Sequence, residues 1–169
     1  MQKEVYKGKF IQVTEEEMNG VIWERCYLSN GVIVFPITDD GKILLIEERR
    51  PHETPTIRLK PVSGILEEEL GTPEDNAQRE MQEEIGLKAR KLTQILHLKS
   101  TGTVNSAQYF FAAEGLSEEK LPNPDGEDVI LGIKAFSPQE LEEMIWSEKL
   151  KWSLSTLGIF KLLHYLRTR

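Results

Sequence analysis

The chain has 169 residues, 39% of them hydrophobic and 29% charged, the balance of a soluble globular domain large enough for its own core. A formal net charge of −7 argues against broad nucleic-acid binding, which needs a basic footprint, but allows a phosphorylated small molecule where a metal ion reverses the local field. No apolar run is long enough for a membrane span, the N-terminus lacks a signal-like core, and the lone Cys26 cannot close an internal disulfide, so no membrane association and a cytoplasmic setting are expected.

In chain order, "KFIQVTEEE" and "NGVIWERCYL" are β-rich and meet at the turn-prone Asn19-Gly20, which predicts an antiparallel strand pair. "GVIVFPI" and "KILLIEE" flank "TDDG", a second hairpin signal, and their apolar character predicts central strands buried on both faces. A long loop is predicted over residues 51–63. Thr72-Pro73-Glu74-Asp75 has the grammar of a capping box with proline at the first helical position, and Gly86 supplies a left-handed stop. Strands follow at 89–98, 107–113 and 129–136, the last two separated by a second long loop, 117–128, rich in Pro, Asn, Asp and Gly. Ser137-Pro138-Gln139-Glu140 opens another helix to about Trp146. A final helix over 153–167 carries an apolar stripe of Leu154, Leu157, Ile159, Leu162, Leu163 and Leu166. Trp23, Trp146 and Trp152 read as core or interface residues, and His52, His97 and His164 lack ligand spacing. One domain over 1–169 is expected, with an N-terminal β segment (1–30) and a catalytic core (31–169).

"REMQEEIGL" (79–87) crowds three glutamates onto one short helix. At about 100° per residue, Ala77, Met81 and Ile85 form a core-facing stripe, with Glu84 and Glu80 on its border and Glu83 roughly 60° beyond. Like charges four residues apart repel, partial burial strengthens the repulsion, and the C-terminal end of a helix is the wrong end for an anion. A hard divalent cation, Mg²⁺ or Mn²⁺, would relieve all three conflicts. Arg79 is expected to point away from the acidic edge and brace the preceding loop.

This stretch resembles the signature of the Nudix hydrolases: Gly, five residues, Glu, seven residues, then Arg-Glu-apolar-any-Glu-Glu-any-Gly-apolar. Residues 79–87 match its second half at every fixed position. In the first half Gly64 stands one residue early and the first glutamate of the pattern falls on Gly71, so Glu67, Glu68 or Glu69 would have to take its place through a local shift. The resemblance extends to the ADP-ribose pyrophosphatase and nucleoside-diphosphate-sugar branch through "LLIEERRP", "STGTVNSAQYFFAAEGL" and "GEDVILGIKAFSPQELEEMI". Two departures bear on substrate: "IRLKPVSG" has Arg58 and Lys60 where the branch has an acid and Pro-any-Gly, and Ser106 or Ala107 stands at a further acidic position.

The resemblance implies an α/β fold, a Nudix-type α/β/α sandwich with a mixed sheet, and metal-dependent cleavage of a nucleoside diphosphate linked to another moiety. It implies Glu80 and Glu84 as principal metal ligands and Glu83 as a third ligand or the base that orients water. Glu127 is its candidate general base, with Asp125 and Asp128 as neighbours. Arg50 would contact phosphate, Gly64, Arg79 and Gly86 would shape the motif, and the N-terminal strands would support a homodimer. Two alternatives stay open: a non-catalytic nucleotide-sugar-binding or partner-binding domain of this fold, and a hydrolase of nucleoside triphosphates or oxidised nucleotides.

Overall fold

In the computed structural model, residues 2–123 and 129–169 are described. Strands β1 (Lys3–Lys7), β2 (Ile11–Met18) and β3 (Val21–Leu28) form an antiparallel meander, so the expected strand pair gains a third member. Asn19 and Gly20 both take positive φ, 53° and 77°, as a tight two-residue hairpin requires.

The rest of the fold is built around β4 (Gly31–Pro36), buried along its whole length. It pairs antiparallel with β7 (Val62–Ile65) and parallel with β9 (Val104–Glu118). β9 also pairs antiparallel with β8 (Leu87–Ser100), and its first residues touch β3. A separate three-stranded sheet has β5 (Ile43–Arg49) at its centre, between β6 (Ile57–Lys60) and β10 (Ile130–Phe136). The "TDDG" turn closes as expected, with Gly41 N–H donating to the Thr38 carbonyl at 2.9 Å. The flanking strands nevertheless do not form a hairpin. One bridge, Ile37 to Ile43, joins them among the described residues before they diverge into the two sheets. The expected 51–63 loop likewise contains β6 and the start of β7, which are too short to announce themselves by periodicity. β6 pairs with the preceding strand β5, and β7 with β4, about thirty residues earlier.

Alternation along β4 and β9 sorts side chains to two cores. Ile33, Phe35, Phe110 and Ala112 face α2 (Pro138–Trp146) and α3 (Ser153–Thr168), where Leu141, Ile159 and Leu162 meet them. Val32, Val34, Phe111 and Ala113 face α1 (Pro73–Ile85) through Ala77 and Met81. The result is the expected α/β/α sandwich. Part of the α3 stripe misses the core: Leu154 and Leu157 stay exposed, while Ile159, Leu162 and Leu163 are buried. Trp23 and Trp146 are also exposed, which rules out the core reading for both.

Candidate active site

Helix α1 is fixed at both ends by its own sequence. Thr72 Oγ1 accepts from Asp75 N–H at 3.2 Å and Asp75 Oδ2 accepts from Thr72 N–H at 2.8 Å. Gly86 closes the helix with φ 69°, a conformation open to glycine at little cost. The buried Ala77 and Met81 then set the rotation of the helix against β4 and β7. That rotation brings Glu80, Glu83 and Glu84 to one edge, and their side chains are only 12%, 13% and 11% exposed.

Gly64 is what lets the edge come so close to β7. A Cβ at that position would overlap the Glu80 carboxyl group. The residue therefore serves by its missing side chain.

Arg79 turns toward the acidic edge, not away from it as expected. On the helix it lies about 40° from Glu83, one turn apart, and its long side chain reaches across. It donates to Glu83 Oε2 at 2.8 Å and to Glu67 Oε1 at 3.0 Å, and lies 3.0 Å from Glu80 Oε1. Of the three loop acids Glu67, Glu68 and Glu69, it is Glu67 that pairs with Arg79 among the described contacts. The longer loop is anchored by Asn76, which is fully buried. Asn76 Oδ1 accepts from Glu67 N–H at 3.1 Å, and Nδ2 donates to the Glu67 and Thr72 carbonyls at 3.1 and 3.0 Å.

Glu84 accepts from Lys60 Nζ at 3.1 Å and from Ser63 N–H at 3.0 Å. Lys60 also lies 3.1 Å from Glu48 Oε1. Arg50 grips Glu48 with Nε at 2.7 Å and Nη2 at 2.8 Å, and Arg58 Nε adds a third donor at 2.9 Å. Arg50 is thus linked to Glu84 through Glu48 and Lys60. The sequence reading missed Glu48, Ser63 and Asn76 and took Lys60 only as a departure from the family pattern. The signal lay in the strand register, which sets Lys60 opposite Ile46 and Arg58 opposite Glu48 on one inward face.

The electrostatics of the two ends of this network differ. Burial pushes Glu80 up to about 7; Arg79 opposes the shift, and Glu84 and Glu83 add to it. Burial also raises Glu84, against the pull of Lys60 and the Ser63 N–H. Burial would raise Glu48 too, but the Arg50 hydrogen bonds and the Lys60 charge outweigh it and hold the carboxyl down to about 2.

A cleft of about 430 Å³ opens beside the edge, lined by Glu83, Glu84, Lys120, Asn123 and the apolar Ile130 and Ile133 of β10. A groove of about 460 Å³ between Ile145 on α2 and Phe160 on α3 lies on the other face of the sheet, away from the glutamates. Among the described residues, no three His, Cys, Asp or Glu side chains converge on a common metal position. The three glutamates share an edge, and their oxygens are drawn to Arg79 and Lys60. Glu127, with Asp125 and Asp128, lies outside the described residues.

The NUDIX domain model matches residues 28–154. The chain belongs to the Nudix family and is a pyrophosphohydrolase. It is 34% identical over 127 residues to the ADP-ribose pyrophosphatase of Bacillus subtilis (strain 168), covering 70% of this chain and 67% of that protein. In fold it is similar to the crystal structure of an ADP compounds hydrolase, with a TM-score of 0.82 at 20% identity, covering 99% of this chain and 92% of that one.

Proposed function

We propose that the chain hydrolyses the pyrophosphate bond of a nucleoside diphosphate linked to another moiety, ADP-ribose or a nucleotide sugar, with Mg²⁺ or Mn²⁺ held by Glu80, Glu83 and Glu84. One observation carries this reading: three largely enclosed glutamates share an edge beside a cleft, and desolvation drives Glu80 and Glu84 toward their neutral forms. The edge is short of positive charge, and its donors are all hard oxygens, the set that Mg²⁺ and Mn²⁺ prefer. A bound dication supplies neutralisation of the diphosphate and acidification of a water molecule.

The protein's own groups do the rest. Water attacks one phosphorus of the pyrophosphate and a phosphate ester leaves. Glu83 either completes the ligand set or takes the proton of that water, while Arg79 holds its carboxylate in place. Glu127 is the competing candidate for the base. Arg50, oriented by two hydrogen bonds to Glu48, is assigned to a phosphate oxygen. The apolar β10 side of the cleft is suited to the uncharged part of the substrate. The relative's name favours ADP-ribose as the first substrate to try.

Residues 31–169 form the proposed catalytic unit and residues 1–30 an assembly segment. Exposed Tyr6, Phe10, Val21, Ile22 and Trp23 give the meander an apolar surface that supports a homodimer. A cytoplasmic setting goes with the unpaired Cys26.

The test is a panel of ADP-ribose, GDP- and UDP-sugars, a dinucleotide, nucleoside triphosphates and oxidised nucleotides, each with Mg²⁺, Mn²⁺ or chelator, with products separated by chromatography. Two phosphate esters from a diphosphate-linked compound, formed only with a dication, are expected. Turnover unaffected by chelator, or confined to triphosphates, would overturn the reading.

A further inference from the structure

Glu84 has a cation of its own within the protein. Lys60 ends β6 and is 6% exposed, so its stem and ammonium are enclosed by the fold. Its Nζ lies 3.1 Å from Ser63 Oγ, 3.1 Å from Glu84 Oε1 and 3.1 Å from Glu48 Oε1. An ammonium has three N–H donors, and three acceptors use them all. Burying a lysine is unfavourable unless it is paired in this way, so the side chain is held where it stands.

The charges around it are unequal. Glu48 has two further cations, Arg50 and Arg58, the second shared with Glu53. Lys60 is the cation in direct contact with Glu84. Glu80 and Glu83, by contrast, share the single guanidinium of Arg79, which also serves Glu67.

We propose that Lys60 is a resident cation of the glutamate edge: it neutralises and positions Glu84, so that the native edge takes up one divalent ion fewer than the same three glutamates would without it. Lys60 is thus a positioning residue. It stands where the sequence departs from the branch's acidic residue and Pro-any-Gly. The inference rests on the reading that the edge binds dications.

The test is a Mn²⁺ titration of substrate-free protein, with free Mn²⁺ followed by electron paramagnetic resonance. Wild type is compared with Lys60→Met, Lys60→Gln, Lys60→Arg and the double variant Lys60→Gln/Glu84→Gln, all checked for fold by circular dichroism. Lys60→Met or Lys60→Gln, whichever folds, is expected to bind one more equivalent of Mn²⁺ than wild type. Lys60→Arg should keep the wild-type number, and the double variant should lose the gain. A lysine that only supported the fold would change thermal stability and leave the Mn²⁺ number alone. An unchanged or lower number in both folded neutral variants overturns the inference while leaving the dication reading standing. Absence of Mn²⁺ binding in every variant defeats the dication reading, and this inference falls with it.

Discussion

Glu84→Gln separates a catalytic carboxylate from a structural one. The substitution keeps shape and one acceptor oxygen but removes the charge. It weakens the charge-assisted bond from Lys60, an interaction of about 1.5–3 kcal/mol, although Lys60 retains Glu48 and Ser63 Oγ. Against that loss stands the relief of a charge the fold disfavours. Glu84 is raised above its ordinary value by burial, so without metal its ionised form subtracts stability as pH rises through and beyond the unfolded carboxylate range. The two effects have opposite sign. The melting temperature in chelator is therefore expected to stay within about 3 °C of wild type, since 1 kcal/mol shifts a domain of this size by roughly 2–4 °C. Turnover should instead fall at least about 100-fold, some 2.7 kcal/mol of barrier, because the lost charge is one the proposed dication site needs. Scanning fluorimetry in chelator and chromatographic product analysis with Mg²⁺ read the two quantities. Turnover within threefold of wild type would refute the assignment, and a melting temperature lowered by 8 °C or more would mark the carboxylate as structural.

Gly64→Ala should keep the sandwich but push the Glu80 carboxyl off β7, so that Mn²⁺ binding and turnover both fall about tenfold or more; wild-type Mn²⁺ affinity in this variant would refute the close-approach argument. The Glu48 carboxyl, held at about 2 against an ordinary 4.5, contributes about 3 kcal/mol above pH 5, fading as pH falls through that interval. Between pH 6 and pH 3, wild type should therefore lose about 2 kcal/mol more stability than Glu48→Gln in urea titrations, and equal losses would show that the cation cluster does not depend on this carboxylate.

Much of the fold was legible because its signals are local. Thr72 with Asp75, Ser137 with Glu140, and Gly86 mark helix ends through contacts within one turn, and all three formed as read. The same helix geometry placed Glu80 and Glu84 on the border of the apolar face, with Glu83 about 60° beyond. Arg79 was misjudged although the i, i+4 spacing to Glu83 was visible, because direction was inferred from the helix face alone and not from the reach of the guanidinium. Glu48 and Lys60 were harder. The inward face of β5 and the register that brings Lys60 opposite Ile46 are set by a pairing across the 51–56 turn, which periodicity does not specify. The split of β4 and β5 into two sheets escaped for a related reason: "TDDG" fixes a reversal, while the sheet each strand joins depends on β7, β9 and β10. Asn76 was hidden because a helical asparagine reads as solvent-facing until the loop it anchors is seen folded over it.

The meander β1–β3 meets the rest of the described chain along a narrow seam, two register pairs linking Cys26 and Tyr27 to Val104 and Asn105. Evolution can therefore redesign the opening thirty residues as a cassette. Swapped, shortened or re-surfaced, they would leave the acidic helix seated as before on β4, β7 and β8.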